Sequence, residues 1–246
     1  VDILVCIDDT DDIETRGTGE IAEILARALE EAGLARCGPV TRHQLLVHPD
    51  IAYTSHNSSM CFPASIDGGR LEEVVSLCRS SLVSESAPAA DPGLCVVVTD
   101  RLARPQTLID YGREAKARVI AKEEAYELAA DLDLHLSEHG GTGIGVIGAL
   151  AGAGLRLSGD DGRFRGKFRI PGDDDGVASV REIKTSGVDE VRVIDGATLA
   201  DDDRVLVDGE CKLVLLGGRG VLLVRPADGT APAPWTVVDR RSLKAY

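Results

Sequence analysis

Aromatic residues are scarce. Three Phe, four Tyr and one Trp among 246 residues give no supply of exposed rings on which the bases of a single-stranded nucleic acid usually stack. Positive charge is also short, at 27 Lys and Arg against 41 Asp and Glu. The resulting formal charge of −14 disfavours nonspecific attachment to nucleic acid or an anionic membrane, while leaving room for a local basic surface. The six cysteines include no C-x-x-C pair, so the common metal and thioredoxin-like spacings are missing. Several sit within apolar runs such as Leu94-Cys95-Val96-Val97-Val98 and read as buried thiols of a reducing compartment. No apolar run reaches the length of a membrane span, and no charged-then-apolar leader opens the sequence. Cytoplasm is the expected location, with no membrane partner.

Hydrophobic residues make up 43% of the chain, enough for a core in one large domain or in a main domain with an appendage. The sharpest chemical signal lies at the start. An apolar strand, Ile3-Leu4-Val5-Cys6-Ile7, runs straight into Asp8-Asp9-Thr10-Asp11-Asp12, which places four carboxylates and a hydroxyl at one strand-to-loop junction. Carboxylates this close repel one another. They either splay into water as a solvated acidic turn or share a hard cation such as Mg²⁺, which usually brings phosphate with it. Thr15-Arg16-Gly17-Thr18-Gly19 follows, and then Ile21, Ile24, Leu25, Ala28, Leu29 and Ala32 at helical spacing. Gly17 and Gly19 let the backbone approach an anion, and the helix start favours phosphate there. The loop contains neither Gly-Lys-Ser/Thr nor G-x-G-x-x-G, so it is not one of the standard nucleotide fingerprints. Thr18 either caps the helix or takes part in metal or phosphate chemistry.

Further along, the patterns predict strands near Gln44 to His48, Met60 to Ile66 and Leu94 to Thr99, with a helix from Leu71 to about Leu82. The order βαββαβ fits an α+β fold with a mixed, largely antiparallel, ferredoxin-like sheet better than a doubly wound one. Helices over about 108–120 and 123–132 lead to a second glycine segment, His139-Gly140-Gly141-Thr142-Gly143-Ile144-Gly145, which enters a small-residue helix. Gly141, Thr142 and Gly143 there either cradle phosphate or serve close helix packing. From Arg163 to Ile170 cations alternate with apolar residues, predicting one half-buried strand with a basic face that is either solvated or aimed at triphosphate or RNA. Residues 171–176, Pro-Gly-Asp-Asp-Asp-Gly, read as a linker. The expected division is therefore a nucleotide-binding domain over 1–170 and a small β-rich, barrel-like appendage over 177–246.

These pieces, in this order, resemble the N-terminal part of the archaeal agmatinylcytidine synthetases, which use ATP to attach agmatine to a cytidine in the anticodon of a minor isoleucine tRNA. The matching residues are Ile7-Asp8-Asp9-Thr10-Asp11, Thr18, Pro49-Asp50-Ile51-Ala52-Tyr53, Asp91-Pro92-Gly93 and Ile147-Gly148-Ala149-Leu150-Ala151, over roughly residues 1–169. The resemblance implies a kinase-like domain binding ATP and Mg²⁺ at the aspartate motif, followed by a ferredoxin-like portion. It also implies that Thr18 corresponds to a threonine that autophosphorylates. This sequence departs from that family: it lacks paired Cys ligands for a zinc ribbon, carries Ser55-His56-Asn57-Ser58-Ser59 in place of an Arg-Gly-Asn stretch, and has Thr142 in place of an Arg.

The leading expectation is an ATP- and Mg²⁺-dependent phosphotransferase or ligase. Asp8, Asp9 and Asp11 would hold the metal, with Asp9, Asp11 and Thr18 carrying the chemistry. Asp8, Thr10, Gly17, Gly19, Asn57, Gly141, Thr142 and Gly143 would contact the nucleotide, and His56 or Asn57 would reach the acceptor, His56 as a candidate base. The acceptor is a small molecule or an RNA, and a homo-oligomer is compatible with the sequence. Two alternatives are a phosphohydrolase using Asp9 as nucleophile, which needs a parallel doubly wound sheet, and a nonenzymatic nucleotide sensor or assembly subunit.

Overall fold

The structure is a computed structural model. It describes residues 1–51, 57–194, 196–207 and 210–246. It is a mixed α+β protein that divides into two compact units, Val1–Ser158 and Gly159–Tyr246. The division falls ahead of the 171–176 run, so the basic stretch over 163–170 belongs to the second unit. No helix among the described residues is long and apolar enough to cross a membrane.

The first unit is organised by the strand β1 (Asp2–Asp8), whose residues are buried on both faces from Ile3 onward. Successive side chains of a strand point to opposite faces. Ile3, Val5 and Ile7 accordingly pack with helices α1 (Thr18–Glu31) and α2 (Leu71–Glu85), whereas Leu4 and Cys6 pack on the other face with α3 (Pro105–Glu114), α4 (Lys122–Asp131) and α5 (Gly145–Ser158). Burial on both faces explains why the segment is uniformly apolar rather than alternating.

The neighbours of β1 complete the sheet. Strands β2 (Ala35–Cys37), β3 (Thr41–Gln44), β4 (Ser58–Ile66), β5 (Gly93–Val98) and β6 (His135–Glu138) give the order β6-β5-β1-β4-β3, with β2 also on β4. Every described pairing within this unit is antiparallel. The doubly wound parallel sheet needed by the phosphohydrolase alternative is thus not formed among the described residues.

Cys6 lies opposite both Cys61 and Cys95 in the ladder. All six cysteines are free; five are buried and Cys37 is half-buried. Burial pushes the Cys78 thiol up to about 12, with a smaller push from Cys37, so it is poorly suited to react as a thiolate.

Helix α5 packs closely on this sheet, as its small residues allow. A Cβ at Gly145 would stand 2.1 Å from the Asp91 carbonyl oxygen and 2.9 Å from the Gly93 nitrogen, and one at Gly148 would stand 1.6 Å from Asp8 Oδ2. Packing is therefore what the glycines of α5 do. Gly145→Ala is expected to lower stability by about 2 kcal/mol or more, because backbone must move to admit the methyl group. A denaturant melt unchanged from wild type would show that α5 does not sit this close.

The second unit contains β7 (Arg163–Phe164), β8 (Phe168–Arg169), β9 (Val177–Ser179), α6 (Val180–Thr185), β10 (Glu190–Val193), β11 (Arg204–Leu206), β12 (Glu210–Cys211), β13 (Val214–Leu216), β14 (Arg219–Pro226) and β15 (Trp235–Val237). The expected strand over 163–170 is broken in two. Gly166 adopts φ +92°, and the halves pair with different partners, β7 with β13 and β8 with β12. The barrel-like appendage is not found: among the described residues the strands run β7-β13-β14-β15-β11-β9, with β10 on β14, and they do not close. Helix α6 starts at a capping box, Ser179 with Glu182.

Candidate active site

The parity of β1 places the first acid. Asp8 follows Leu4 and Cys6 on the α5 face, and the missing side chain of Gly148 leaves room for its carboxyl. Asp8 is 9% exposed. Burial first, then the charge of Asp9, push its carboxyl up to about 8; the Asp9 backbone amide pulls the other way, and the charge of Asp11 adds a smaller push.

Asp9 turns the chain off the strand with φ +52°. Aspartate tolerates this left-handed region better than most residues, at some strain, and such strain gathers at functional sites. Burial and then the charges of Asp91 and Asp11 raise the Asp9 carboxyl to about 6, while the Asp91 backbone amide donates to it. Thr18 is the first residue of α1 and Gly17 its cap. The Thr18 hydroxyl does not cap the helix but donates to Asp11 Oδ1 at 2.8 Å.

Asp8, Asp9, Asp11, Thr18 and Asn57 line one cavity of about 240 Å³. Its other walls come from segments far away in sequence. Leu45, Ile51, Val119, Ile120, Ile144 and Ile147 make an apolar side, and Arg118, Lys122 and Asp50 add charge. Arg118 is held by Glu114 and Glu124, each at 2.7 Å. Lys122 Nζ donates to Glu138 Oε2 at 2.9 Å and to the Thr142 carbonyl at 2.8 Å. Asn57 supports the connection from β3 to β4: its Nδ2 donates to the Leu46 carbonyl at 2.6 Å.

The second glycine segment is fastened to a carboxylate. Asp91 Oδ1 accepts from the Thr142 hydroxyl at 2.7 Å, from the Gly143 amide at 2.9 Å and from the Thr142 amide. Gly141 and Gly143 take φ +53° and +74°, the left-handed turns that this wrap requires. Gly141, Thr142 and Gly143 do not line the cavity; neither do Thr10, Gly17 and Gly19. Thr10 is fully buried and its hydroxyl has no hydrogen-bond partner among the described residues. Gly17 stands beside Asp11, with Oδ2 3.8 Å from where its Cβ would be. His56 lies outside the described residues.

Sequence reasoning missed Asp91 as the clamp and Arg118, Lys122 and Asp50 as wall residues. The two cations looked like ordinary helix-surface charge. The available signal was the pair of acids Asp9 and Asp91, each just outside the end of a strand, but their proximity depends on the pairing of β1 with β5.

Among the described residues no three His, Cys, Asp or Glu side chains converge with metal-ligating geometry. The acids present suit a cation that takes only one or two carboxylates and completes its shell with water and phosphate, as Mg²⁺ does.

Fold and cavity together define an α+β protein with an acidic cleft at the end of its central strand. No protein-family model matches the chain, and no curated protein matches it in sequence. Solved structures do match it in fold. Apo TiaS, an isoleucine-tRNA agmatidine synthetase, aligns with a TM-score of 0.55 at 22% identity, over 63% of this chain and 35% of that one. A tRNA fluorescent labeling enzyme aligns at 0.55 and 24% identity, over 63% and 36%. TiaS in complex with its isoleucine tRNA and ATP gives 0.55 and 24%, over 62% and 36%. The chain has a TiaS-like fold and spans about a third of the length of these neighbours.

Proposed function

We propose that the first unit binds ATP with Mg²⁺ in the Asp8–Asp9–Asp11 cavity and that the protein is an ATP-dependent phosphotransferase or ligase acting on a small molecule or an RNA. The observation that carries this reading is the convergence of Asp8, Asp9, Asp11 and Thr18 on one cavity whose other walls are apolar and charged. The fold shared with proteins solved with ATP and tRNA supports it. So does the antiparallel order β5-β1-β4-β3, with α1 and α2 on one face, which we read as a ferredoxin-like βαββαβ element. We place the protein in the cytoplasm, where ATP is available.

In this scheme Mg²⁺ supplies charge neutralisation at the phosphates. Asp8, Asp9 and Asp11 would hold it directly or through water. Lys122 and Arg118 would exchange their present carboxylate partners for phosphate oxygens, and the Ile144 and Ile147 wall would receive the base. If Thr18 accepts the terminal phosphoryl group, its Oγ1 bonds to phosphorus as the bridging bond to ADP breaks, and its proton passes to Asp11, to which it already donates.

The test is incubation of the purified protein with ATP and Mg²⁺, following ADP, AMP and phosphate by chromatography and Thr18 by mass spectrometry. Turnover is the expected result. ATP binding without turnover would select the nonenzymatic sensor, and no binding would overturn the reading.

Thr18 gives a sharper check. Thr18→Ala removes the hydrogen bond to Asp11 and should cost about 1 kcal/mol of stability, while Thr18→Ser keeps it. Nucleotide chemistry is expected to fall in the alanine variant by more than its melting explains, and serine is expected to restore most of it. An alanine variant that melts earlier yet turns over ATP normally at low temperature would make Thr18 purely structural.

A further inference from the structure

The alternating cations that begin the second unit do not form one basic face. Lys167 and Arg169 stand 2.6 Å and 3.7 Å from the oxygens of Glu210, so their charge is answered. Arg163 is placed differently. It lies opposite Val214 in the antiparallel pair of β7 with β13, and the Phe164 amide donates to the Leu213 carbonyl at 2.9 Å. Continuing that register puts Arg165 beside Lys212, on the same side of the ladder as Arg163. Val214 and Val238 belong to one hydrophobic cluster, and Val238 lies two residues before Arg240, whose charge acts on both Arg163 and Lys212.

The cations act on one another there. Burial, followed by the like charge of Arg240, holds Arg163 below its usual range, with Asp161 acting in the opposite sense. Burial, followed by Arg240, Arg165 and Arg163, does the same to Lys212, against Glu210, while its Nζ donates to the Gly166 carbonyl and keeps two further donors. Arg163 Nε is buried with no hydrogen-bond partner among the described residues. A buried guanidinium donor left unpaired is costly. Convergence of cations from three separate segments is also unexpected in a chain of net charge −14.

We propose that Arg163, Lys212 and Arg240 form an oxyanion site for a phosphate group, supplied either as the terminal phosphate of a small ligand or as a phosphodiester of RNA. The planar fork of arginine matches phosphate oxygens in pairs, and an ammonium adds a point charge beside it. A bound phosphate would give the Arg163 Nε–H an acceptor and relieve the repulsion among the three cations.

The chain's single Trp, Trp235 in β15, reports on this unit in the full-length protein. Inorganic phosphate, pyrophosphate and a short unstructured oligoribonucleotide are titrated separately, following Trp235 emission and the backbone amide resonances around residues 163, 212 and 240. Saturable binding is expected. It should weaken about tenfold or more in Arg240→Ser and Lys212→Gln, the size of one hydrogen bond to a charged group, and hold its wild-type value in Lys167→Gln. Arg240 is exposed, so its replacement leaves the core untouched.

The probes separate the two sources. Phosphate and pyrophosphate that bind as tightly as the oligoribonucleotide identify a terminal phosphate. A much tighter oligoribonucleotide with a steep salt dependence, lost in the same two variants, identifies a phosphodiester chain. Binding that is indifferent to both substitutions, or no saturable response to any of the three probes, overturns the site.

Discussion

Asp8→Asn is expected to make the cation-free protein more stable at alkaline pH, not less. The Asp8 carboxyl is raised to about 8 by burial and then by the charges of Asp9 and Asp11. Its folded-state value therefore lies above that of the unfolded chain, near the ordinary 3.8, and between these limits the folded protein holds a proton that the unfolded chain has released. Stability should thus decline as pH rises from about 4 to about 8 and level off above, with Asp9 adding to the decline up to about 6. Each tenfold gain in proton affinity is worth about 1.4 kcal/mol, so the loss from Asp8 alone reaches several kcal/mol. Asparagine imitates the protonated acid and removes that part of the slope. Melting curves across this range check the sign. A variant with the wild-type slope, or one that melts lower at pH 8, would show that Asp8 is not held protonated. Added Mg²⁺ should stabilise the wild type more than the variant, since the amide is the poorer ligand.

Asp9→Asn and Asp11→Asn are expected to lower Mg²⁺-ATP affinity or turnover at least tenfold, or roughly 1.4 kcal/mol, with the fold kept. Structural reasons favour asparagine at both places. At Asp9 it tolerates the left-handed φ of +52°, which alanine would not accept as readily. At Asp11 its carbonyl can still receive the Thr18 hydroxyl, now 2.8 Å from Oδ1. Loss of binding in either variant is then a loss of charge and ligating power, not of structure. Calorimetry showing wild-type binding, together with wild-type turnover, in both variants would remove the metal-bridged scheme.

How far the sequence reveals this molecule depends on where each signal is made. Strand β1 with α1, and β4 and β5 with α2, announce themselves because their apolar residues are forced by burial in a shared core. Strand β6 is short and mostly polar, His-Leu-Ser-Glu, and only its pairing with β5 makes it a strand. Helix α6 is anchored by the capping box of Ser179 and Glu182, but its six residues carry too little periodicity to stand out from a sequence read as β-rich. The alternation from Arg163 to Ile170 suggested one strand because alternation ignores φ, and Gly166 is where the chain turns.

The cavity shows the same split. Asp8, Asp9, Asp11 and Thr18 are near neighbours in sequence and line it together, whereas Asp50, Arg118 and Lys122 arrive through tertiary packing. Whether Gly141-Thr142-Gly143 cradles phosphate or serves packing could not be read from its own residues, because Asp91, far away in sequence, accepts from the Thr142 and Gly143 amides.

The two-sided burial of β1 ties the acidic cavity to the core through parity alone. Ile3, Val5 and Ile7 fill one face; Leu4 and Cys6 fill the other, and Asp8 continues that second series. Inserting or deleting a single residue upstream within the strand would exchange odd for even. Both hydrophobic layers would survive such a shift tolerably, being apolar throughout, but the carboxyl would turn from the Gly148 side toward α1 and α2. A frame error of one position would therefore leave a folded protein whose chemistry points the wrong way.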